Sequence, residues 1–267
     1  MNQSYIDQEG IAHAIVLKLG TNSVVAPDGT FYQERLERIA SEIVALRTTG
    51  IYTFLISSGS IRTGMFLKGY SKVPDEPVER QVCASIGQPK LTEAWQNAFG
   101  RINVAQLLYT FEDLRHDADN IADVVYQCMA DGDQTLVNYN DSANYREIDA
   151  DNESTAVSCI RCLGEKVPRN IQVEGLVIMT DQYGLMDKGS LVEEVTLVDQ
   201  KVLDLCNGTN GFGKGGMKSK LIAGGKCLHM GAYTIIGHQD LSLNDLLYNS
   251  RRTIIHNSMT GFPQRKV

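Results

Sequence analysis

Lysines set among glycines are the residues of this chain with the most chemistry in them. Residues 208–220, GTNGFGKGGMKSK, carry five glycines and three lysines, at 214, 218 and 220. Backbone without Cβ atoms folds closely around an oxyanion and turns its N–H groups inward. Ammonium groups beside it add point charges suited to a polyphosphate. A second glycine-flanked lysine, Lys18, lies in AIVLKLGTN at residues 14–22. It sits in an apolar run, where a buried ammonium needs compensating charge because desolvation costs on the order of several kcal/mol. A ligand phosphate at the strand end would supply that charge; the plainer alternative is a lysine snorkelling at the sheet margin. Two such pieces near opposite ends of the chain point to transfer of a phosphate-bearing group.

The glycine run also contains a decoy. Residues 208–214 satisfy the opening of the P-loop pattern G-x-x-x-x-G-K, but Gly215 stands where a Ser or Thr hydroxyl should bind magnesium. The run follows a polar stretch late in the chain, whereas a P-loop follows a leading strand. It therefore reads as a flexible glycine loop closing over a nucleotide and leading into a helix near Met217, or as a mobile linker. Asp151, Asn152 and Glu153 read equally as a helix cap and as a site at a helix N-terminus whose two carboxylates, Asp151 and Glu153, orient lysines or hold magnesium. Cys159 and Cys162 have C-x-x-C spacing with neither a second pair nor a nearby histidine, which argues against zinc or redox chemistry. The five histidines show no ligand spacing, and no G-x-S-x-G elbow is present.

The elements that must position these residues alternate. Strand patterns fall at 14–20, 51–59, 134–141, 174–181 and 233–238, with a short apolar run, INVAQLLY, at 102–109. Helical spacing covers 31–49 (Leu36, Ile39, Ile43, Leu46), 79–99 and 111–130, and a further helix starts near Glu153. The turn formers Gly69, Pro74 and Pro77 mark 65–80 as a surface excursion, and the tail after Pro263 reads as loose. Alternation of this kind predicts a mostly parallel sheet covered by helices on both faces, with ligands at the carboxyl ends of its strands. Those ends read KLGTN, SSGS, NYND and TDQYG, all small and polar.

With 267 residues and 43% apolar content the chain reads as a single domain, 1–267, able to bury a core without disulfides. A net charge of -7 leaves no broad footprint for nucleic acid. Arg251 and Arg252 read as a solvated helix face. No apolar run reaches the roughly 20 residues of a membrane span, and the N-terminus lacks the order of a signal peptide. Six cysteines without regular spacing suit reduced thiols in the cytoplasm.

Taken together, VLKLGTNSV, ISSGSIRTG, SIGQPKLTEAW, VNYNDSA, DNESTAVS, MTDQYGL and GKGGMKSKL, in this order from about residue 15 to 262, resemble the amino acid kinase family, and within it the glutamate 5-kinase branch. The resemblance implies an α/β fold, a three-layer αβα sandwich whose mostly parallel sheet carries ATP and the acceptor at its carboxyl edge. It implies that Lys18 and Lys220 neutralise the transferring phosphoryl group and that Glu153 orients them. It puts Ser58, Gly59, Asp141 and Asn152 at the acidic substrate. Lys18, Gly20, Thr21, Thr180, Asp181 and the loop Gly213, Lys214, Gly215, Gly216, Met217 to Lys220 would form the ATP pocket.

The chain departs from the family pattern at Tyr139, at Glu153 and at Ser60-Ile61-Arg62-Thr63. Arg62 brings a guanidinium expected beside the substrate pocket, where it could hold an additional acidic group. The RNA-modification-type (PUA) domain that follows the kinase in many bacterial relatives is expected to be missing.

The implied reaction is attack of a substrate γ-carboxylate on the γ-phosphorus of MgATP, giving an acyl phosphate and ADP. Positioning and charge neutralisation dominate such a transfer, and a carboxylate is already ionised near neutral pH. No protein metal-ligand set is expected, since magnesium would bridge the phosphates within a shell largely of water and phosphate oxygens. The resemblance further implies a homo-oligomer (dimer or tetramer), with exposed apolar helix residues among 79–130 as an interface. It also implies a downstream reductase, as in proline biosynthesis. Two alternatives stay open: a kinase of a different small acid, and a regulator that binds nucleotide or amino acid without turnover.

Overall fold

Strand β1, Ala12–Leu19, sorts its side chains by alternation. Ile15, Leu17 and Leu19 enter one apolar cluster, while Ala14 and Val16 enter another. Buried on both faces, such a strand belongs at the centre of a sheet, and each of its large apolar side chains contributes roughly 1.5–3 kcal/mol. The computed structural model describes residues 12–143, 156–158, 160, 171–208, 216–249, 251–258 and 260. The further strands are β2 Ile51–Ser57, β3 Val104–Tyr109, β4 Gln134–Tyr139, β5 Ile171–Thr180, β6 Met186–Asp187, β7 Ser190–Leu191, β8 Glu194–Val195, β9 Tyr233–His238 and β10 Arg252–Ile255.

Eight of these strands form one sheet in the order β3-β4-β2-β1-β5-β9-β10-β8, and β6 and β7 pair as a small ribbon. β1 pairs parallel with both β2 and β5, so Lys18 stands opposite Ile56 on one side and Ile178 on the other. The parallel set continues through β4 and β3 in one direction and β9 in the other. Its six carboxyl ends therefore share one edge of the sheet.

Helices cover both faces. Gln33–Arg47 buries Leu36, Ile39 and Ile43 in the first cluster with Leu91 and Trp95 of Pro77–Phe99 and Leu243 and Leu246 of Leu243–Tyr248. On the other face lie Ala118–Asp131 with Ile121, Val125 and Met129, the helical residues Ala156 and Ile160, and Met217–His229 with Leu221 and Cys227. The result is the three-layer α/β arrangement that the alternation predicts.

Several local expectations are corrected. The 111–130 helix is two, Phe111–His116 and Ala118–Asp131, broken at Asp117. The excursion at 65–80 is shorter, because Ser60–Leu67 is a helix and Pro77 already opens the next one. The pair Arg251 and Arg252 is not a helix face. Arg252 is buried within β10, which runs antiparallel to β9, and Arg251 precedes it at φ 71°. Burial there shows that the guanidinium is held by the fold: it donates to the Asp245 carbonyl. The start of the helix near Glu153, residue Cys159, Cys162 and the tail after Pro263 lie outside the described residues.

Candidate functional site

Lys18 lies one residue before the carboxyl end of the central strand, at the point where successive strands are laid down to opposite sides, β2 one way and β5 the other. Ligands gather at such a switch point in open α/β sheets. By alternation with Ala14 and Val16, Lys18 faces the layer that contains Met217–His229. That helix ends just before β9 begins, so its first turn, with Lys220, lies toward the carboxyl edge. Lys18 is 6% and Lys220 7% exposed. Two buried ammonium-bearing side chains thus share one face and one edge, as their spacing at opposite ends of the chain could not by itself show. Neither is without a polar or ionic partner.

Around them the backbone comes close. A Cβ on Gly20 would lie 3.9 Å from Lys18 Nζ, and Thr21 opens the short helix Thr21–Val24 directly after it. The Ser58 N–H donates to the Leu19 carbonyl at 3.1 Å, tying the end of β2 to the end of β1. Gly59 sits at φ 127°, and a Cβ there would press on Val25 at 2.9 Å. Only glycine tolerates that backbone, which turns the chain from β2 into Ser60–Leu67.

On the β2, β4 and β3 side a cleft opens, lined among others by Ser60, Gln88, Gln106, Tyr139 and Asp141. The Ser60 hydroxyl donates to the Asp141 carboxylate at 3.5 Å. Burial pushes the Asp141 carboxyl up to about 6, against a slight lowering by Ser60. A sequestered carboxyl whose neighbour is a hydroxyl suits a ligand cation. Pro89, inside the Pro77–Phe99 helix, has no N–H to give the Ser85 carbonyl one turn back, and Ser85 and Pro89 both line the cleft. Arg62 does not line it. Its guanidinium donates instead to the Val25 carbonyl at 3.1 Å, because its place on the helix turns it toward the chain after β1.

On the β5 and β9 side, the Gln239 N–H donates to the Thr180 carbonyl at 2.7 Å, and the Thr180 hydroxyl donates to Asp181 at 3.1 Å. Next to them Tyr183 stacks on His238 with ring centroids 4.6 Å apart, and the Arg251 guanidinium lies 4.8 Å from the Tyr183 ring. Gly216 caps the Met217–His229 helix in extended conformation, so the expected helix start near Met217 agrees. Asn152, Glu153, Gly213, Lys214 and Gly215 lie outside the described residues. Among the described residues no group of three or more His, Cys, Asp or Glu is placed to hold a metal ion.

Sequence reasoning named Asp141 and held Ser60 and Tyr183 only as members of the strand-end segments SSGS and TDQYG, and it missed Gln88 and Gln106 as cleft residues. Gln88 and Gln106 read as polar positions of a helix and a strand, and nothing in their spacing signals a shared cleft.

Residues 13–238 match the model of the amino acid kinase family. The glutamate 5-kinase of Bordetella petrii is 32% identical over 237 residues, 84% of this chain and 61% of that protein. That of Methanococcoides burtonii is 30% identical over 249 residues, 87% of this chain and 64% of that one. The chain thus spans about three fifths of the length of these curated relatives. Among solved structures, a Giardia carbamate kinase superposes with a TM-score of 0.63 at 15% identity, covering 92% of this chain and 99% of that one. A UMP kinase from Ureaplasma parvum gives 0.52 at 11%, covering 91% and 98%.

Proposed function

We propose that this chain, which belongs to the amino acid kinase family, is an ATP-dependent carboxylate kinase whose acceptor is glutamate or a close acidic amino acid. The observation that carries the reading is the division of the sheet edge at Lys18. A cleft with a sequestered carboxyl lies to one side, and the Thr180–Asp181 corner to the other. Relatives named as glutamate 5-kinases add to it.

In this reading Asp141 takes the ammonium group of the acceptor, with Ser58, Gly59 and Asn152 beside its carboxylates. The γ-carboxylate attacks the γ-phosphorus in line, the bond to the bridging oxygen breaks, and an acyl phosphate and ADP leave. Lys18 and Lys220 balance charge on the transferring group, and Glu153 orients them. Gly20, Thr21, Thr180, Asp181 and the residues from Gly213 through Gly216 and Met217 hold the nucleotide. Magnesium, which would offset phosphate charge, arrives with ATP rather than on a protein cage.

The proposal extends to a homo-oligomer, supported by the exposed apolar residues Val78, Val82 and Ile86 at four-residue spacing on one helix. It extends also to a reducing, cytoplasmic setting, supported by the free thiols of Cys83, Cys128, Cys206 and Cys227. An acyl phosphate hydrolyses readily, so the next step is a reductase or ligase that consumes it, as proline biosynthesis would require.

The test is ADP release with MgATP and a panel of acidic amino acids, together with hydroxamate trapping of the product. Substrate-dependent ADP and a trapped hydroxamate are expected. Nucleotide binding without substrate-dependent ADP would sink the kinase reading and favour a binding regulator.

A further inference from the structure

We propose that Gln88 is a specificity residue of the cleft beside Asp141: its amide N–H, seconded by that of Gln106, reads the main-chain carboxyl oxygen of the acceptor. The proposal rests on the carboxylate-kinase reading above and adds what distinguishes one acceptor from another.

A relay of amides fixes which end of Gln88 is available. The Tyr139 backbone N–H can only donate, and it donates to Asn138 Oδ1 at 2.9 Å. Asn138 therefore turns its Nδ2 the other way and donates to Gln88 Oε1 at 2.8 Å. The orientation of both amides follows from that backbone donor. Gln88 Nε2 is then left buried without a hydrogen-bond acceptor, and so is Gln106 Nε2. Asn138 is 2% and Gln88 7% exposed, so the relay is sealed from solvent.

Buried donors without partners are uncommon in folded proteins. Another in this chain, the Thr53 hydroxyl, belongs to a fully buried strand residue. The two glutamines differ because both line the one cleft that also holds Asp141. Gln88 is tied to that carboxylate through its neighbour: a Cβ on Gly87 would meet the Ser60 carbonyl at 1.9 Å, and Ser60 hydrogen-bonds Asp141. The wall thus offers N–H donors for oxygen, while Asp141, with the Ser85 carbonyl freed by Pro89, offers acceptors for an ammonium group. A ligand carrying both groups on one carbon, an α-amino acid, meets both needs.

The sharpest probe pair is L-glutamate and 4-aminobutanoate, which differ only in the α-carboxylate. Wild-type protein is expected to favour glutamate in kcat/KM by at least about tenfold. Gln88→Glu keeps an oxygen for Asn138 to donate to and replaces the free N–H by an oxygen. It is expected to raise the glutamate KM about tenfold or more, leave the MgATP KM within about twofold, and collapse the preference over 4-aminobutanoate. Gln106→Met, on a separate element, should shift the preference the same way to a smaller extent.

Circular dichroism and calorimetric titration with glutamate accompany both variants, and loss of folding in one leaves the other to decide. An unchanged preference in the folded variants overturns the inference while the kinase reading stands, as does a wild type that phosphorylates both acids equally well. A wild type that neither binds nor phosphorylates any amino acid overturns both.

Discussion

Gly87 rests directly against the backbone of Ser60: a methyl group on Gly87 would lie 1.9 Å from the Ser60 carbonyl oxygen. The same two helices meet again at Gly64, where a Cβ would lie 1.8 Å from the Cys83 carbonyl oxygen. This double contact of backbone on backbone brings Ser60 and Gln88 to adjoining walls of the cleft. Gly87→Ala must therefore push the helices apart, since no flexible side chain can give way. Overpacking of this kind costs on the order of 1–3 kcal/mol. We expect a lower urea midpoint at unchanged slope, with a raised KM for the acceptor and little change for ATP. An unaltered midpoint would show that the helices do not touch here.

Asp141 predicts a pH dependence with a definite sign. Its carboxyl ionises at the ordinary 3.8 in the unfolded chain and at about 6 in the folded one. Between these values the folded state binds more protons, so stability falls as pH rises through this window, and the cost is fully present above about 6. Asp141→Asn should raise the melting temperature at about pH 7.5, with the gain vanishing by about pH 4. In the wild type the acceptor KM should climb as pH falls below about 6, because a protonated Asp141 cannot pair with an ammonium group. Melting curves and initial rates across this range test both halves.

Lys220 predicts a loss of turnover rather than of fold. Removing one donor to a transition-state charge costs on the order of 3 kcal/mol, or about 100-fold in rate. Lys220→Met, which keeps most of the buried volume, should lower kcat at least that far, and Lys18→Met likewise. Far-ultraviolet circular dichroism should stay native. Turnover at the wild-type level in either variant would remove that lysine from the proposed mechanism.

Trp95 offers an internal reporter. It is the only tryptophan of the chain, is fully buried, and donates its indole N–H to Ser57 Oγ at 2.9 Å. Ser57→Ala orphans that donor at a cost of about 1–3 kcal/mol. Emission should be blue-shifted in the native protein and move red on unfolding, with a reduced urea midpoint in the variant.

Alternation between apolar strands and amphipathic helices was readable along the chain, because period-two and period-3.6 burial leave their marks on neighbouring residues. So were the two lysines, since an ammonium in an apolar run or a glycine loop is costly without a counter-charge. Other features were not readable. Arg252 looks like a surface cation in sequence, and only pairing with β9 reveals it as a strand residue. Arg62 is as polar as any rim residue, and its helix alone sets its direction, toward Val25. Ser60, Gln88, Gln106 and Asp141 come from four segments that carry no common pattern. Local sequence governs which face of an element is apolar, but a cleft forms where separate elements meet. That meeting depends on backbone contacts such as Gly87 against Ser60, which involve no side chain on one partner and so write no periodic signal.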